Sequence, residues 1–105
     1  MDKTIDFPKK KELIEELRKN NIIFAAFFGS RAKGTANPDS DYDIIVEFDP
    51  RKSIPYSKFY DAKMATKKLL NSELDFLTVK SISKFMRDEI LKTMKVIYDD
   101  RSRKG

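Results

Sequence analysis

Residues 27–48 read FFGSRAKGTANPDSDYDIIVEF, and this stretch decides how the chain is organised. An apolar strand ends at Gly29 and Ser30, a polar loop follows, and a second apolar strand begins beside Asp41 and Asp43. A glycine directly after a strand allows a sharp turn and a close approach of a ligand to the backbone. The RAKG segment can form a short helical turn whose first amides, with the Ser30 hydroxyl, could bind phosphate oxygens. Taken alone, Gly-Ser after a strand is more typical of an ordinary turn.

The two aspartates of the second strand indicate a cation site. Asp41 and Asp43 are two positions apart, so their side chains point to the same side of the strand. The chain has no histidine and no cysteine. A metal ion would therefore need oxygen ligands, which favours Mg²⁺ or Mn²⁺. The alternative is a pair of solvated aspartates at the start of a strand, and an isolated Asp-Tyr-Asp would favour it.

A third aspartate, Asp75, lies within the apolar segment ELDFLTV at 73–79. A charge in an apolar strand is costly unless it is paired or bound to a metal. If this strand lies beside the one that carries Asp43, we expect Asp41, Asp43 and Asp75 to surround one point opposite the Gly29 turn. Such a cluster suits metal-assisted transfer from a nucleoside triphosphate, in which one ion holds the triphosphate and a second lowers the pKa of the attacking hydroxyl.

The rest of the chain alternates between helical and extended patterns. Helices are predicted at 9–20, 57–70 and 83–94, and strands at 22–28, 43–48, 73–79 and 95–100, the last at a sheet edge. The continuously apolar strand 22–28 indicates a central strand that is covered on both faces. This order predicts an α/β (α+β) fold with a mixed sheet of about four strands and flanking helices, in one domain spanning residues 1–105.

Apolar side chains near helical spacing are expected to face the core from the second and third long helices. They are Phe59, Tyr60, Met64, Leu70, Phe85, Met86, Ile90 and Met94. Tyr56, Phe59 and Tyr60 lie among lysines, a pattern that nucleic-acid-binding proteins also show. Core packing with a solvated lysine face is the simpler interpretation, so no direct nucleic-acid binding is expected.

Composition limits the remaining classes. Of 105 residues, 40% are hydrophobic and 37% charged, which indicates a globular domain. No apolar run approaches the roughly 20 residues that a membrane span needs, and no apolar signal core stands at the N-terminus. The absence of cysteine fits a reducing cytoplasm, so we expect a cytoplasmic protein with no membrane contact. The net charge of +5 is modest and is accounted for by a lysine-rich surface.

The segments GSRAKGTANPDSDYDIIVEF and ELDFLTV together closely resemble the minimal nucleotidyltransferases of the polymerase-beta-like superfamily. The shared pattern is Gly-Ser, a short loop, Asp-x-Asp, and a later lone Asp on a neighbouring strand. The resemblance runs from the first helix to the final strand and implies the polymerase-beta-like fold.

By position, the resemblance implies roles for individual residues. Gly29 and Ser30 would bind the triphosphate of ATP, and Asp41 and Asp43 would ligate two Mg²⁺ or Mn²⁺ ions. Asp75 would complete the second metal site and help to activate the acceptor hydroxyl. Two cations of the loop, Arg31 and Lys33, occupy positions near the phosphates. Lys33 stands where many relatives carry arginine and lacks the bidentate fork, whereas Arg31 could equally form a surface ion pair. Ser40 is expected to cap the turn and orient Asp41 through its hydroxyl, and Asp39 to be a turn residue.

Stand-alone domains of this kind are typically antitoxins of two-gene toxin–antitoxin modules, and the resemblance therefore implies a partner. That partner would be a small helical HEPN-domain toxin, onto whose tyrosine hydroxyl the chain would transfer AMP from ATP. Two alternatives stay open. The chain could neutralise its partner by binding alone, or it could transfer a nucleotide to a hydroxyl of a small molecule.

Overall fold

The computed structural model describes residues 4–37 and 40–101, and its helices and strands follow the predicted order. Each predicted element is present, with ends that differ from the prediction by one residue at most. In chain order the elements are α1 (Lys10–Lys19), β1 (Ile22–Phe28), α2 (Ser30–Lys33), β2 (Tyr42–Phe48), α3 (Tyr56–Leu70), β3 (Leu74–Thr78), a 3-10 turn (Val79–Ser81), α4 (Lys84–Thr93) and β4 (Lys95–Asp99). The predicted turn residue Asp39 and the end of the basic tail, 102–105, lie outside the described residues.

The four strands form one mixed sheet in the order β3-β2-β1-β4. β1 is antiparallel to both β2 and β4, whereas β2 and β3 run parallel. This arrangement confirms the predicted mixed sheet of four strands and the edge position of the last strand. It also brings the end of β1 and the beginnings of β2 and β3 to one end of the sheet, where Phe28 pairs with Asp43 and Asp43 pairs with Asp75.

Helices cover the sheet on both faces, as the apolar strand β1 predicts. On one face, here called the two-helix face, Leu13 and Leu17 of α1 and Ala62 of α3 form a core with Phe27 and Ile44. On the other, here called the α4 face, apolar residues of β1 and β2 pack with residues that follow β3: Phe24, Ala26, Ile45, Ile82 and Ile90. Alternation along β2 and β3 therefore assigns each of their residues to one of these faces, whereas β1 and β4 contain register shifts that interrupt the alternation.

Four of the side chains predicted to face the core are exposed instead: Tyr60, Met64, Phe85 and Met86. Tyr56 is exposed as well. In α3, the buried stripe runs through Ala62 and Thr66, and Phe59 and Leu70 pack beside it as predicted. Residues 56, 60 and 64 repeat every four positions and form a different stripe of the helix. Each residue turns the helix by about 100°, so this stripe points away from the one that contains Ala62 and Thr66. The sequence pattern identified the helices correctly but assigned too many of their apolar residues to the core.

No helix in the described ranges is long and apolar enough to cross a membrane.

Candidate functional site

Gly29 joins β1 to α2 in a backbone conformation that requires glycine. Its φ of 71° and ψ of −150° lie in a region that is essentially closed to residues with a side chain. A Cβ atom on Gly29 would also overlap Oδ2 of Asp43. The sharp turn predicted here is confirmed. The backbone conformation requires the glycine, and any side chain there would also have to displace the carboxylate of Asp43.

The short helix α2 supplies the predicted helical turn. The amides of Ala32 and Lys33 both donate to the carbonyl of Gly29, at 3.1 Å. The two amides before them, on Ser30 and Arg31, have no acceptor within a helix that starts at Ser30. The Ser30 hydroxyl stands beside them, which is the arrangement that a phosphate-binding turn needs.

Asp43 and Asp75 lie side by side on neighbouring parallel strands. They are partners in the β2–β3 register, and both belong to the α4 face, since Ile45 and Leu77 two residues later pack there. Burial raises the pKa of Asp43 above its ordinary value, a hydrogen bond with the Asp75 carboxyl raises it further, and repulsion from Asp75 and Asp41 adds to the rise. The charged form of Asp43 is thus disfavoured until a positive charge arrives.

Asp41 stands apart from this pair, which corrects the expectation that three carboxylates surround one point. Among residues 4–37 and 40–101, no three acidic side chains converge closely enough to hold a metal ion as they stand. Asp41 is close enough for its charge to raise the pKa of Asp43, but it is exposed just before β2 begins. Asp75 is exposed too, because β3 is an edge strand, so the cost of burying its charge does not arise.

The residues present fit a divalent cation. The side-chain donors at this end of the sheet are carboxylate oxygens, which Mg²⁺ and Mn²⁺ prefer. The carboxyl groups of Asp43 and Asp75 already lie side by side. A bound cation would relieve the repulsion between their negative charges.

Arg31 has a different position from either of the two that were expected. Its Nη2 donates to the carbonyl of Ser40 at 2.6 Å, and its guanidinium lies 4.1 Å from the ring centroid of Tyr42. Tyr42 packs against the core of the two-helix face. The charged group therefore lies on the side of the sheet opposite Asp43 and Asp75, and within the described ranges it forms no salt bridge.

The remaining loop residues have simpler roles. Lys33 is exposed, and its proposed approach to the phosphates stays a prediction. Ser40 caps the turn as expected, since its hydroxyl accepts from the amide of Asn37 at 3.0 Å, whereas its orienting effect on Asp41 stays a prediction. The sequence interpretation missed Tyr42, which holds Arg31. Its position between two aspartates is the one signal that could have indicated it.

Comparisons with known proteins identify the family of the chain. The model of a family described as "Polymerase beta, Nucleotidyltransferase" matches residues 11–103. A relative from Methanocaldococcus jannaschii, named "Putative protein adenylyltransferase", is 35% identical over 82 residues, which cover 78% of this chain and 86% of the relative.

Two solved structures share the fold at lower identity. A toxin–antitoxin structure with AMP-PNP superimposes with a TM-score of 0.70 at 21% identity and covers 88% of this chain and 74% of that one. A complex of the tri-AMPylated Shewanella oneidensis HEPN toxin with its MNT antitoxin gives a TM-score of 0.62 at 18% identity, over 87% and 70% of the two chains.

Proposed function

Since the chain belongs to the polymerase beta nucleotidyltransferase family, we propose that it transfers AMP from ATP to a tyrosine hydroxyl of a HEPN-domain toxin and thereby acts as an antitoxin. The chain is a nucleotidyltransferase by its family; the nucleotide, the acceptor and the antitoxin role are the proposal. The relative named as a protein adenylyltransferase supports a protein acceptor. The structural neighbours, which are toxin–antitoxin assemblies, support the kind of partner.

The observation that carries the proposal is the pairing of Asp43 with Asp75 beside the Gly29 turn. The glycine conformation brings the turn against Asp43 with no space for a side chain between them. A triphosphate held by the amides of Ser30 and Arg31 would therefore lie next to the carboxylate pair. Proximity of this kind is what a transfer reaction needs from its enzyme.

Asp43 and Asp75, with Asp41, would hold the divalent ions, two by analogy with the family. When bound, such ions neutralise phosphate charge and lower the pKa of the attacking hydroxyl. The Ser30 hydroxyl and the neighbouring amides would orient the triphosphate, and Lys33 would add positive charge near it.

The proposed reaction is a displacement at the α-phosphorus of ATP. The tyrosine oxygen forms a bond to the α-phosphorus of ATP, the bond between this phosphorus and the bridging oxygen breaks, and pyrophosphate leaves. The tyrosine proton must be removed as the bond forms. Asp75 is exposed on the edge strand beside Asp43, which supports a role for its carboxylate in orienting that hydroxyl and receiving the proton.

The experiment compares transfer by three variants to a candidate HEPN partner in the presence of ATP and Mg²⁺. Asp43→Asn and Asp75→Asn each remove a charged ligand, whereas Asp61→Asn, on the exposed surface of α3, removes one negative charge away from the site. Mass spectrometry of the partner follows the addition of AMP. We expect wild type and Asp61→Asn to modify a tyrosine and the other two to lose at least about 99% of the rate, since loss of a metal ligand affects the transition state directly.

Transfer at the wild-type rate by Asp43→Asn and Asp75→Asn would contradict the assignment of the site. Neutralisation of the toxin by wild type without any added AMP would favour inhibition by binding alone. Transfer to a small-molecule hydroxyl but to no protein would favour the remaining alternative.

A further inference from the structure

We propose that Arg31 is a positioning residue: it ties the segment that carries Asp41 to the phosphate-binding turn and does not itself bind phosphate. This inference deepens the proposed function, because it assigns the support of one proposed metal ligand to a residue on the opposite face of the sheet.

The contacts of Arg31 fall on the two residues that flank Asp41. Its Nη2 donates to the carbonyl of Ser40 at 2.6 Å, and its guanidinium stacks 4.1 Å from the centroid of the Tyr42 ring. Arg31 itself lies in α2, directly after Ser30. One side chain therefore connects the turn proposed to hold the triphosphate with both neighbours of Asp41.

Strand geometry explains why Arg31 cannot serve the carboxylates directly. Tyr42 and Asp43 are adjacent in β2, so their side chains leave opposite faces of the sheet. Tyr42 packs with Phe27, at 5.4 Å between ring centroids, in the core of the two-helix face. A guanidinium stacked on Tyr42 is thus separated from Asp43 by the sheet itself.

The surroundings of Arg31 favour a fixed side chain. The Tyr42 ring and the Ser40 carbonyl contact its guanidinium, while its Nε is buried without a hydrogen-bond partner among the described residues. The amide of Tyr42 in turn donates to the carbonyl of Glu73 at 3.1 Å, next to β3. Fixing Tyr42 therefore also fixes the start of β2 against the strand that carries Asp75.

An arginine has properties for this role that a lysine lacks. The face of its planar guanidinium can stack on an aromatic ring while its N–H groups donate hydrogen bonds in the plane of the guanidinium. A lysine keeps the charge but loses the stacking and the second direction of donation. The substitution Arg31→Lys therefore separates a positioning role from a phosphate-charge role.

The first measurement is amide hydrogen exchange, by NMR, without metal or nucleotide. In Arg31→Lys and Arg31→Met, we expect exchange at the Tyr42 amide, which donates to the carbonyl of Glu73, to become roughly tenfold faster than in wild type, because a stacked and hydrogen-bonded guanidinium is lost. Exchange at Ala25, in the centre of β1, should stay unchanged. A merely structural role would accelerate exchange at Ala25 as well. The matched control is Lys52→Met, which removes an exposed cation beyond the far end of β2.

The second measurement is Mn²⁺ affinity, followed by the loss of the free-ion EPR signal. We expect both Arg31 variants to bind Mn²⁺ several-fold more weakly than wild type and Lys52→Met to bind it normally. Tyr42→Leu should have a similar effect, and adding Arg31→Met to it should have little further effect, because both changes act through one contact.

The outcomes separate the possibilities. If Arg31→Lys matches wild type in exchange and in Mn²⁺ affinity, while Arg31→Met weakens only ATP binding at saturating Mn²⁺, Arg31 acts through its charge at the phosphates and the inference is wrong. If Arg31→Met fails to fold, Arg31→Lys, which keeps the alkyl stem, still decides. If wild type binds no Mn²⁺, the metal part of the proposed function fails, and the exchange data still test the tie between Arg31 and the Asp41 segment.

Discussion

At the scale of single residues, the site depends on a backbone position that admits only glycine. The positive φ of 71° at Gly29 disfavours any larger residue, and a Cβ there would also displace the Asp43 carboxylate. The approach of the turn to Asp43 brings the amides proposed to bind phosphate next to a carboxylate proposed to bind a metal ion.

Gly29→Ala should therefore disrupt both the fold and the site. We expect a loss of about 1–3 kcal/mol in the free energy of unfolding, because the backbone conformation is closed to alanine and the new Cβ meets Asp43. Urea unfolding checks this value. Gly34→Ala is the matched control, since Gly34 also has a positive φ but has open space around it. An equal loss in both variants would show that backbone strain alone is responsible.

Asp43 predicts a dependence of stability on pH. Its pKa is raised in the folded, metal-free protein, so the folded state binds a proton more tightly than the unfolded chain does. Its contribution to stability is therefore complete below the unfolded pKa of about 3.9 and is lost as pH rises through the folded value.

Asp43→Asn removes this penalty. In metal-free buffer at neutral pH, we expect the variant to be as stable as wild type or more stable by up to about 1 kcal/mol, since its charged neighbours are exposed and screened. The advantage should disappear on acidification, in parallel thermal melts with Asp61→Asn as the control. A variant that is clearly less stable at neutral pH would mean that the charged carboxylate is structural.

At the scale of elements, α4 covers the face of the sheet that carries the carboxylates. Its first turn is capped by Ser83, whose hydroxyl accepts from the amide of Met86 at 3.2 Å. We expect Ser83→Ala to lower the free energy of unfolding by about 1 kcal/mol and Ser83→Asp to retain the cap. Urea unfolding of both variants measures the difference. An equal loss in both would contradict the capping role.

The order and type of the elements could be predicted because each has a strong local pattern. The apolar run of β1 and the Gly-Ser turn were sufficient to place the end of the sheet where Asp43 lies. What could not be predicted depends on contacts between elements. The stripe of α3 that faces inward is chosen by the sheet it packs on, so Tyr60 and Met64 were assigned to the core but are exposed.

In the candidate site too, local sequence patterns predicted some features, and contacts between elements decided the others. The positions of Asp43 and Asp75 followed from strand patterns plus the assumption of neighbouring strands, and the register confirms that they meet. The side on which Arg31 lies could not be read from the sequence, because it depends on the stacking with Tyr42 across the loop. Likewise, the edge position of β3, which leaves Asp75 exposed, is a property of the sheet and not of its own residues.

At the scale of the whole molecule, binding of a divalent cation should stabilise the native state. A ligand that binds only the folded protein adds about 2.7 kcal/mol when its concentration is 100 times its dissociation constant. We expect the melting temperature of wild type and Asp61→Asn to rise with Mg²⁺ or Mn²⁺, and that of Asp75→Asn to rise much less. Differential scanning fluorimetry with and without EDTA measures this. An identical rise in all three would show that the ion binds elsewhere.

The most direct test of the central claim is the fate of labelled ATP in the presence of a candidate HEPN partner and Mg²⁺. Two parallel reactions contain ATP labelled on the α-phosphate or on the γ-phosphate, and the partner is then separated and counted. If the paired carboxylates serve nucleotidyl transfer, the partner acquires the α-label alone, on a tyrosine, and the label is absent with Asp43→Asn. Incorporation of the γ-label would identify phosphoryl transfer instead, and α-label incorporation that is unchanged by Asp43→Asn would contradict the site proposed for this chain.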